Sequence, residues 1–389
     1  MEASLRQPAV PATCLTATSA GGAPDVQTAS ILAVDVGAGT SDILLTIPGE
    51  PLANAVKLVV PSATRVVAAR IAGATARGQT VVFRGPVMGG GACGGAMKAH
   101  VRAGLAFVAT ATAASTFADD LDRVRALGVR IVEDGAADEE LRRLPAATTV
   151  DLRSGDLDVP ALREALARLG VEPTFAAAAI AVQDHGYCPD GSNRVFRFRL
   201  WERAVRERRA IGELFYAADP PPELTRLRAA AAAAASAADG PVMVADTGPA
   251  ALYGALPRGV DDAVLINVGN GHTVCLLALG GRVAGVFEHH TRALDGPGLE
   301  ARLRRWLAAD LHSDEVRADH GHGAIIDPAA ARTTLPDVPF IVTGPQRHLL
   351  AGCRLPLELA APHGDMMLTG CFGLLRALGE RCDMTGCAA

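Results

Sequence analysis

The chain has 389 residues, of which 49% are hydrophobic, 20% charged and 4% aromatic, with a formal net charge of −5. That is long enough for two lobes with a core each and fits a soluble globular enzyme. The charge gives no reason to expect nucleic acid or an anionic membrane as partner, the few aromatics offer no stacking platform for single strands, and no apolar run reaches the ~20 residues that span a bilayer.

Residues 1–28 read as a flexible Ala/Pro/Thr tail with no basic segment leading into a long apolar core, so a secretory leader is not expected and the cytoplasm is. The stretch 31–45 enters on an apolar run, turns at 37–40 and leaves on a second apolar run, which predicts a β-hairpin. Gly37 and Gly39 let the backbone approach a ligand and turn its N–H groups outward, which suits a phosphate. Thr40 and Ser41 add hydroxyl donors, and Asp35, ending the first strand, is placed to hold magnesium through waters. Asp42, on the outgoing strand, is expected to matter much less. Taken alone, the stretch is read equally well as an ordinary hairpin with a polar tip.

Residues 56–60 make a third strand, and Pro61 opens a helix to about Arg77 with Val66, Ala69 and Ile71 on its apolar side. The strand 81–84 leads into a glycine run with Gly-x-Gly-x-x-Gly at Gly89, Gly91 and Gly94. No acidic residue ends a second strand about 20 positions on, so the run reads as a backbone nest lining a cleft rather than a nicotinamide site. Leu121, Val124 and Leu127 mark a helix, 129–132 a strand, and Leu162, Leu166 and Leu169 another helix. A small-residue strand, 175–182, then ends in Gln183-Asp184-His185-Gly186. The arginine-rich segment 194–209, with Phe196, Phe198 and Trp201 interleaved, reads as a solvated amphipathic face ahead of a partner surface. Residues 223–238 form a nearly pure alanine helix, a spacer or a close helix contact. A strand at 243–245 ends in Asp246. The stretch 264–277 then repeats the first hairpin, with Asn267, Gly269-x-Gly271, His272 and Thr273 at its turn. Leu299, Leu303, Trp306, Leu307 and Leu311 form a core-facing helical stripe. Apolar strands alternating with helices predict a parallel or mixed sheet whose ligands sit at carboxyl strand ends. Asp35, Gln183, Asp184 and Asp246 fall at such ends and are grouped as catalytic candidates.

Two such hairpins suggest two similar lobes facing each other across a nucleotide. The chain resembles the superfamily of actin, the sugar kinases and the heat-shock chaperone ATPases. In that resemblance Gly37, Gly39, Thr40 and Ser41 form the phosphate-1 loop, and Asn267, Gly269, Gly271 and Thr273 the phosphate-2 loop. The stretch 243–254 resembles the connecting segment, Thr343 and Gly344 within 340–345 the adenosine loop, and 368–375 the closing helix. The resemblance implies a two-lobed α/β fold of duplicated ribonuclease H-like lobes that binds ATP and magnesium in the cleft. It divides the chain into a first lobe at 29–258, a second at 259–365, and a closing helix and tail at 366–389. Two departures stand out: Asn267 replaces the usual second aspartate, and Pro345 replaces the second glycine of the adenosine loop. More narrowly, the phrases at 183–186, 267–273, 287–291 and 362–367 are similar to a bacterial and archaeal family labelled as pyruvate formate-lyase activating proteins, whose chemistry is not established.

None of the eight cysteines forms Cys-x-x-Cys or Cys-x3-Cys-x2-Cys, which argues against a zinc ribbon and against a radical enzyme with an iron–sulfur cluster on that spacing. Seven of ten histidines lie in short polar phrases, three of which, at 288–290, 319–322 and 363–365, offer nitrogen and oxygen together. A second divalent metal is expected near Glu288, His289 and His322; the alternatives are a bound second substrate, acid–base work, or plain loop histidines. Together these readings give magnesium-dependent ATP binding or hydrolysis, with a small-molecule acceptor or a protein partner left open, and a nucleotide-gated binding protein as the non-catalytic alternative.

Overall fold

The computed structural model describes residues 29–332 and 337–386; the tail expected at 1–28 lies outside them. The first sheet begins with β1 (Ile31–Val36), β2 (Thr40–Leu45) and β3 (Val56–Pro61). An insertion follows, carrying β4 (Thr80–Arg84), β5 (Phe107–Thr110), β6 (Arg130–Val132) and β7 (Thr149–Arg153). The chain returns to the first sheet with β8 (Ala177–Val182), β9 (Phe215–Tyr216) and β10 (Val242–Ala245). The second sheet holds β11 (Ala263–Val268), β12 (His272–Leu279), β13 (Arg282–His290), β14 (Gly323–Ile326), β15 (Phe340–Thr343) and β16 (Leu357–Leu359).

The first sheet runs β3-β2-β1-β8-β10-β9 and the second β14-β13-β12-β11-β15-β16. Without the edge strands β9 and β14 the two are the same. Each has an antiparallel meander of three strands followed by two strands parallel to the first. Tight turns join β1 to β2, β11 to β12 and β12 to β13, a ten-residue connection joins β2 to β3, and the parallel pairs are joined by longer crossovers. This duplicated order is the two-lobed actin-like fold.

The helices Thr247–Ala255 and Thr369–Gly386 pack against each other and against both sheets, and one apolar core spans the lobes through them. Each sheet has a further core on its outer face. In the second lobe it is built on the stripe Leu299, Leu303, Trp306, Leu307 and Leu311. In the first it is built by the alanine helix, observed as Thr225–Ala237, packed on the alanine strand β8. Small side chains on both partners let those backbones approach closely. The insertion is a separate four-stranded parallel sheet with its own core around Phe83 and Phe107.

Local differences from expectation have simple causes. Pro61 ends β3, and Ser62 precedes the helix Ala63–Ala76, which buries Val67, Ile71 and Ala74 and leaves Val66 exposed. The arginine-rich segment is a helix, Asn193–Arg206, whose Arg197, Phe198, Trp201, Ala204 and Val205 are buried rather than solvated. Among the described residues no helix is long and apolar enough to cross a membrane.

Candidate functional site: the interlobe cleft

The two hairpin turns close identically. Gly37 N–H donates to the Thr40 carbonyl at 2.9 Å, and Gly269 N–H to that of His272 at 3.0 Å. The turns meet across the cleft: a Cβ on Gly39 would overlap the Asn270 side chain, and one on Gly271 would lie 3.2 Å from Ala38 Cβ. Gly39 thus lets the Asn270 side chain of the other lobe's loop approach, and an unusual φ is not its reason. By position in the hairpins, Asn267 answers Asp35, His272 answers Thr40 and Val274 answers Asp42.

Asp35 and Asp42 are register partners across β1 and β2, so their side chains share one face. Both are buried, and Oδ1 of each has no hydrogen-bond partner. Burial, then the Asp42 charge, pushes Asp35 up to about 8; burial pushes Asp42 up to about 7. Asp42, expected to matter much less than Asp35, lies beside it and lines the same cavity. A Cβ on Gly370, in the first turn of the closing helix, would overlap the Asp35 carboxylate. A cavity of about 70 Å³ is bounded here by Asp35, Thr40, Asp42, Thr343 and Gly344. Strand alternation turns buried Ser41 away from Thr40 and Asp42. Thr273 is fully buried, with its hydroxyl 3.1 Å from that of Thr291, so neither Ser41 nor Thr273 lines the cleft.

On the other side of the turns lies a cavity of about 330 Å³. Gly37, Ala38, Asn267, Gly269 and Asn270 are walls common to both cavities. Its far wall includes Gly89–Gly91, Gln183, His185 and Arg226. Asp184 shapes this wall: its carboxylate accepts from Gly186 N at 2.7 Å and Leu227 N at 2.9 Å, and Gly186 takes φ +76°. Arg226 is clamped by Asp156 at 2.6 and 2.8 Å and donates to the Gln183 carbonyl at 2.6 Å.

Asp246 is not a free acid. Its carboxylate accepts from Gly248 N and Asp184 N at 3.0 Å each, and from Arg197 Nη1 at 2.6 Å and Nη2 at 2.9 Å. Arg197 Nε donates to both oxygens of Glu288 at 2.9 Å, and Trp201 Nε1 donates to Glu288 at 3.1 Å. Arg197, 3% exposed, thereby ties the ends of β8 and β10 in one lobe to β13 in the other. Such an anchor holds geometry; it has no lone pair left for proton transfer.

Four imidazoles gather beside this anchor. The rings of His272 and His290 are 4.4 Å apart, those of His272 and His322 4.9 Å, and those of His185 and His322 5.2 Å. One nitrogen each of His185, His272 and His322 lies within 4.8 Å of the others. Burial pulls His272 down to about 4; burial, with the Arg197 charge next, pulls His185 and His322 well below the ordinary histidine range. Burial favours the neutral form of all three. Of the expected set Glu288, His289 and His322, only His322 belongs to this cluster. Glu288 is engaged by Arg197 and Trp201. His289 alternates to the other face of β13, packs on Phe287 and lies 3.3 Å from Asp319. His363 packs on Phe372, away from the cluster.

The family described as "Putative pyruvate format-lyase activating enzyme (DUF1786)" matches residues 88–349. The chain belongs to this family. No curated protein matches it. Among solved structures, the ethanolamine utilization protein EutJ from Carboxydothermus hydrogenoformans is similar at 12% identity, covering 88% of each chain, with a TM-score of 0.31. MreB5 of Spiroplasma citri bound to ADP is similar at 10% identity, covering 92% of this chain and 99% of that one, with a TM-score of 0.32. The PilM–PilN type IV pilus biogenesis complex is similar at 15% identity, covering 58% and 84%, with a TM-score of 0.28. The family match covers the glycine run, Arg197, Asp246 and all four clustered histidines, but not β1 and β2.

Sequence reasoning missed Arg197, Arg226 with Asp156, and the joining of His185 and His272 to His322. A partial signal for Arg197 was present: Trp201, Ala204 and Val205 follow it at i+4, i+7 and i+8, and an arginine on an apolar face needs buried carboxylates.

Proposed function

We propose that the protein binds a nucleoside triphosphate with magnesium between its two hairpin turns and hydrolyses it, or transfers its terminal phosphoryl group, as the lobes move. The observation that carries this reading is the duplication itself: two hairpins of the same closure, one per lobe, meet over one cleft beside a pair of buried carboxylates. The residues fit magnesium. Asp35 Oδ1 and Asp42 Oδ1 are hard oxygens with no protein donor, and a divalent ion would replace the protons that burial keeps on them. Bound there, magnesium would neutralise charge on the terminal phosphates. Asp42 supplies in the first lobe the carboxylate that Asn267 lacks in the second. In this reading Thr40 and the turn amides not already spent on turn closure would meet the phosphate oxygens, and Thr343–Gly344 the nucleoside. A 70 Å³ space is too small for a nucleoside, so the reading requires the lobes to part on binding.

The second reading, transfer to a small molecule, is favoured by the 330 Å³ cavity across the turns, a size suited to a small ligand. The family's description names an activating enzyme. The absent Cys-x3-Cys-x2-Cys spacing favours ATP-driven action over radical chemistry in this chain.

Differential scanning with magnesium and ATP, ADP or GTP tests the reading. A ligand at 100 times its dissociation constant adds about 2.7 kcal/mol, and a clear rise in melting temperature is expected. No shift with any nucleotide at millimolar concentration removes it.

A further inference from the structure

His185 follows β8 in the first lobe, His272 opens β12 in the second, and His322 precedes β14. Three elements from two lobes thus deliver three imidazole nitrogens to one point, within 4.8 Å of each other. Ring stacking does not account for the arrangement, because it leaves the polar atoms unpaired. His272 Nε2 and both nitrogens of His322 are buried without a hydrogen-bond partner, and His322 is fully inaccessible. A neutral imidazole has one donor and one acceptor, and buried ones are normally satisfied. No free carboxylate answers them. Glu288 lies 3.9 Å from His322 Nδ1, but both its oxygens already serve Arg197 and Trp201. Three imidazole nitrogens converging on one point, one from each ring, are the donor set that a metal ion takes.

We propose that His185, His272 and His322 form the site of one borderline divalent transition metal, of the zinc, cobalt, nickel or iron(II) class, with its open coordination position facing the 330 Å³ cavity. Three histidines and an open position make the donor set of a catalytic metal, not a closed structural one. His185 and His272 both line that cavity, so water or the anionic oxygen of a bound small molecule can complete the shell. Nitrogens around a shared ion sit about 2.0–2.1 Å from it, so loading draws the rings together. The supporting shell is built in. Asp184 fixes the loop carrying His185, and Gln183 Nε2 is 3.4 Å from Glu288 Oε1. Because His185 comes from the first lobe and the other two from the second, the bound ion would also clasp the cleft. The proposal stands without the nucleotide reading, and its test uses none.

Full-length protein is stripped with a chelator and titrated with cobalt(II) and zinc(II) alone. One cobalt per chain is expected, with the intense visible bands of a four- or five-coordinate site, displaced by one equivalent of zinc. His185→Ala and His322→Ala should each weaken binding at least about 100-fold with an unchanged circular dichroism spectrum. His363→Ala, outside the cluster, should bind as the parent does. X-ray absorption on the zinc-loaded parent reads the ligands without any variant, and three imidazoles are expected. Binding no tighter than millimolar, binding unaffected by a folded His185→Ala or His322→Ala, or a shell with fewer than three imidazoles overturns the proposal.

Discussion

Asp35 and Asp42 act at the scale of single carboxylates. Replacing either with asparagine keeps the shape and removes the charge that a magnesium ion requires. Asp35→Asn and Asp42→Asn should each lower ATP turnover by about two to three orders of magnitude, the scale of one lost preorganised electrostatic group. The double variant should lose little more than either single one, because groups acting as a unit are not additive. Either variant hydrolysing ATP at the parent rate while folded would mean that the cleft is not the active site. Arg197 gives a stability prediction. Arg197→Met leaves Asp246 and Glu288 buried without their cation, which should cost about 3–5 kcal/mol in denaturant unfolding. Arg197→Lys should not rescue it, since Nε, Nη1 and Nη2 are all engaged in a planar fork that an ammonium lacks. A lysine variant with parent stability would refute that account.

At the scale of elements, the lobes are joined where the helices Thr247–Ala255 and Thr369–Gly386 cross. A Cβ on Gly254 would strike the Thr369 carbonyl, and one on Gly373 the Ala250 carbonyl. These are backbone atoms that cannot swing aside. Gly254→Ala or Gly373→Ala should therefore force the helices apart and destabilise by at least about 1–3 kcal/mol. The contrast is Gly95, inside the helix Gly91–Arg102, where a Cβ meets nothing within 4 Å. Gly95→Ala should stabilise by about 0.5–1 kcal/mol, because alanine loses less backbone entropy on folding. Urea midpoints of the three variants give opposite signs if close helix packing is what those glycines serve. The hairpins were legible in sequence at this scale because an apolar run, a glycine turn and a second apolar run are all local. The buried face of Asn193–Arg206 was only partly so: Trp201 at i+4 marks the face of Arg197, but the helix's other arginines mask which face points inward.

The whole molecule carries opposed titrations. Burial lowers the histidines His100, His185, His272, His290, His322 and His363, while it raises Asp35, Asp42 and Asp184. A histidine held low in the fold contributes stability that is present above 6.5 and lost as the pH falls below it. A carboxyl held high contributes stability that is present below its unfolded value near 4 and lost as the pH climbs to 7 for Asp42 and 8 for Asp35. More histidines than carboxyls are involved. The stability of metal-free, nucleotide-free protein should therefore rise from pH 5 to about 6.5 and decline from about pH 7 to 8.5. Asp35→Asn should keep the acid limb and flatten the alkaline one. Melting temperatures across that range check both limbs, and a steady fall from pH 5 upward would contradict the burial of neutral histidines.

By itself the sequence determined the two hairpins, their repeat and the helical stripe from Leu299 to Leu311, and it put Asp35, Gln183 and His322 among its candidates. Glycine turns and apolar periodicity act over a few residues and survive in any one-dimensional reading. Only the tertiary structure decided that Asp42 faces Asp35, that Asp246 and Glu288 are bound by Arg197, and that His185 and His272, not His289, join His322. Arg197 lies 49 residues from Asp246 and 91 from Glu288. Which buried polar groups share a site depends on how two lobes dock, and no local pattern along the chain encodes that contact.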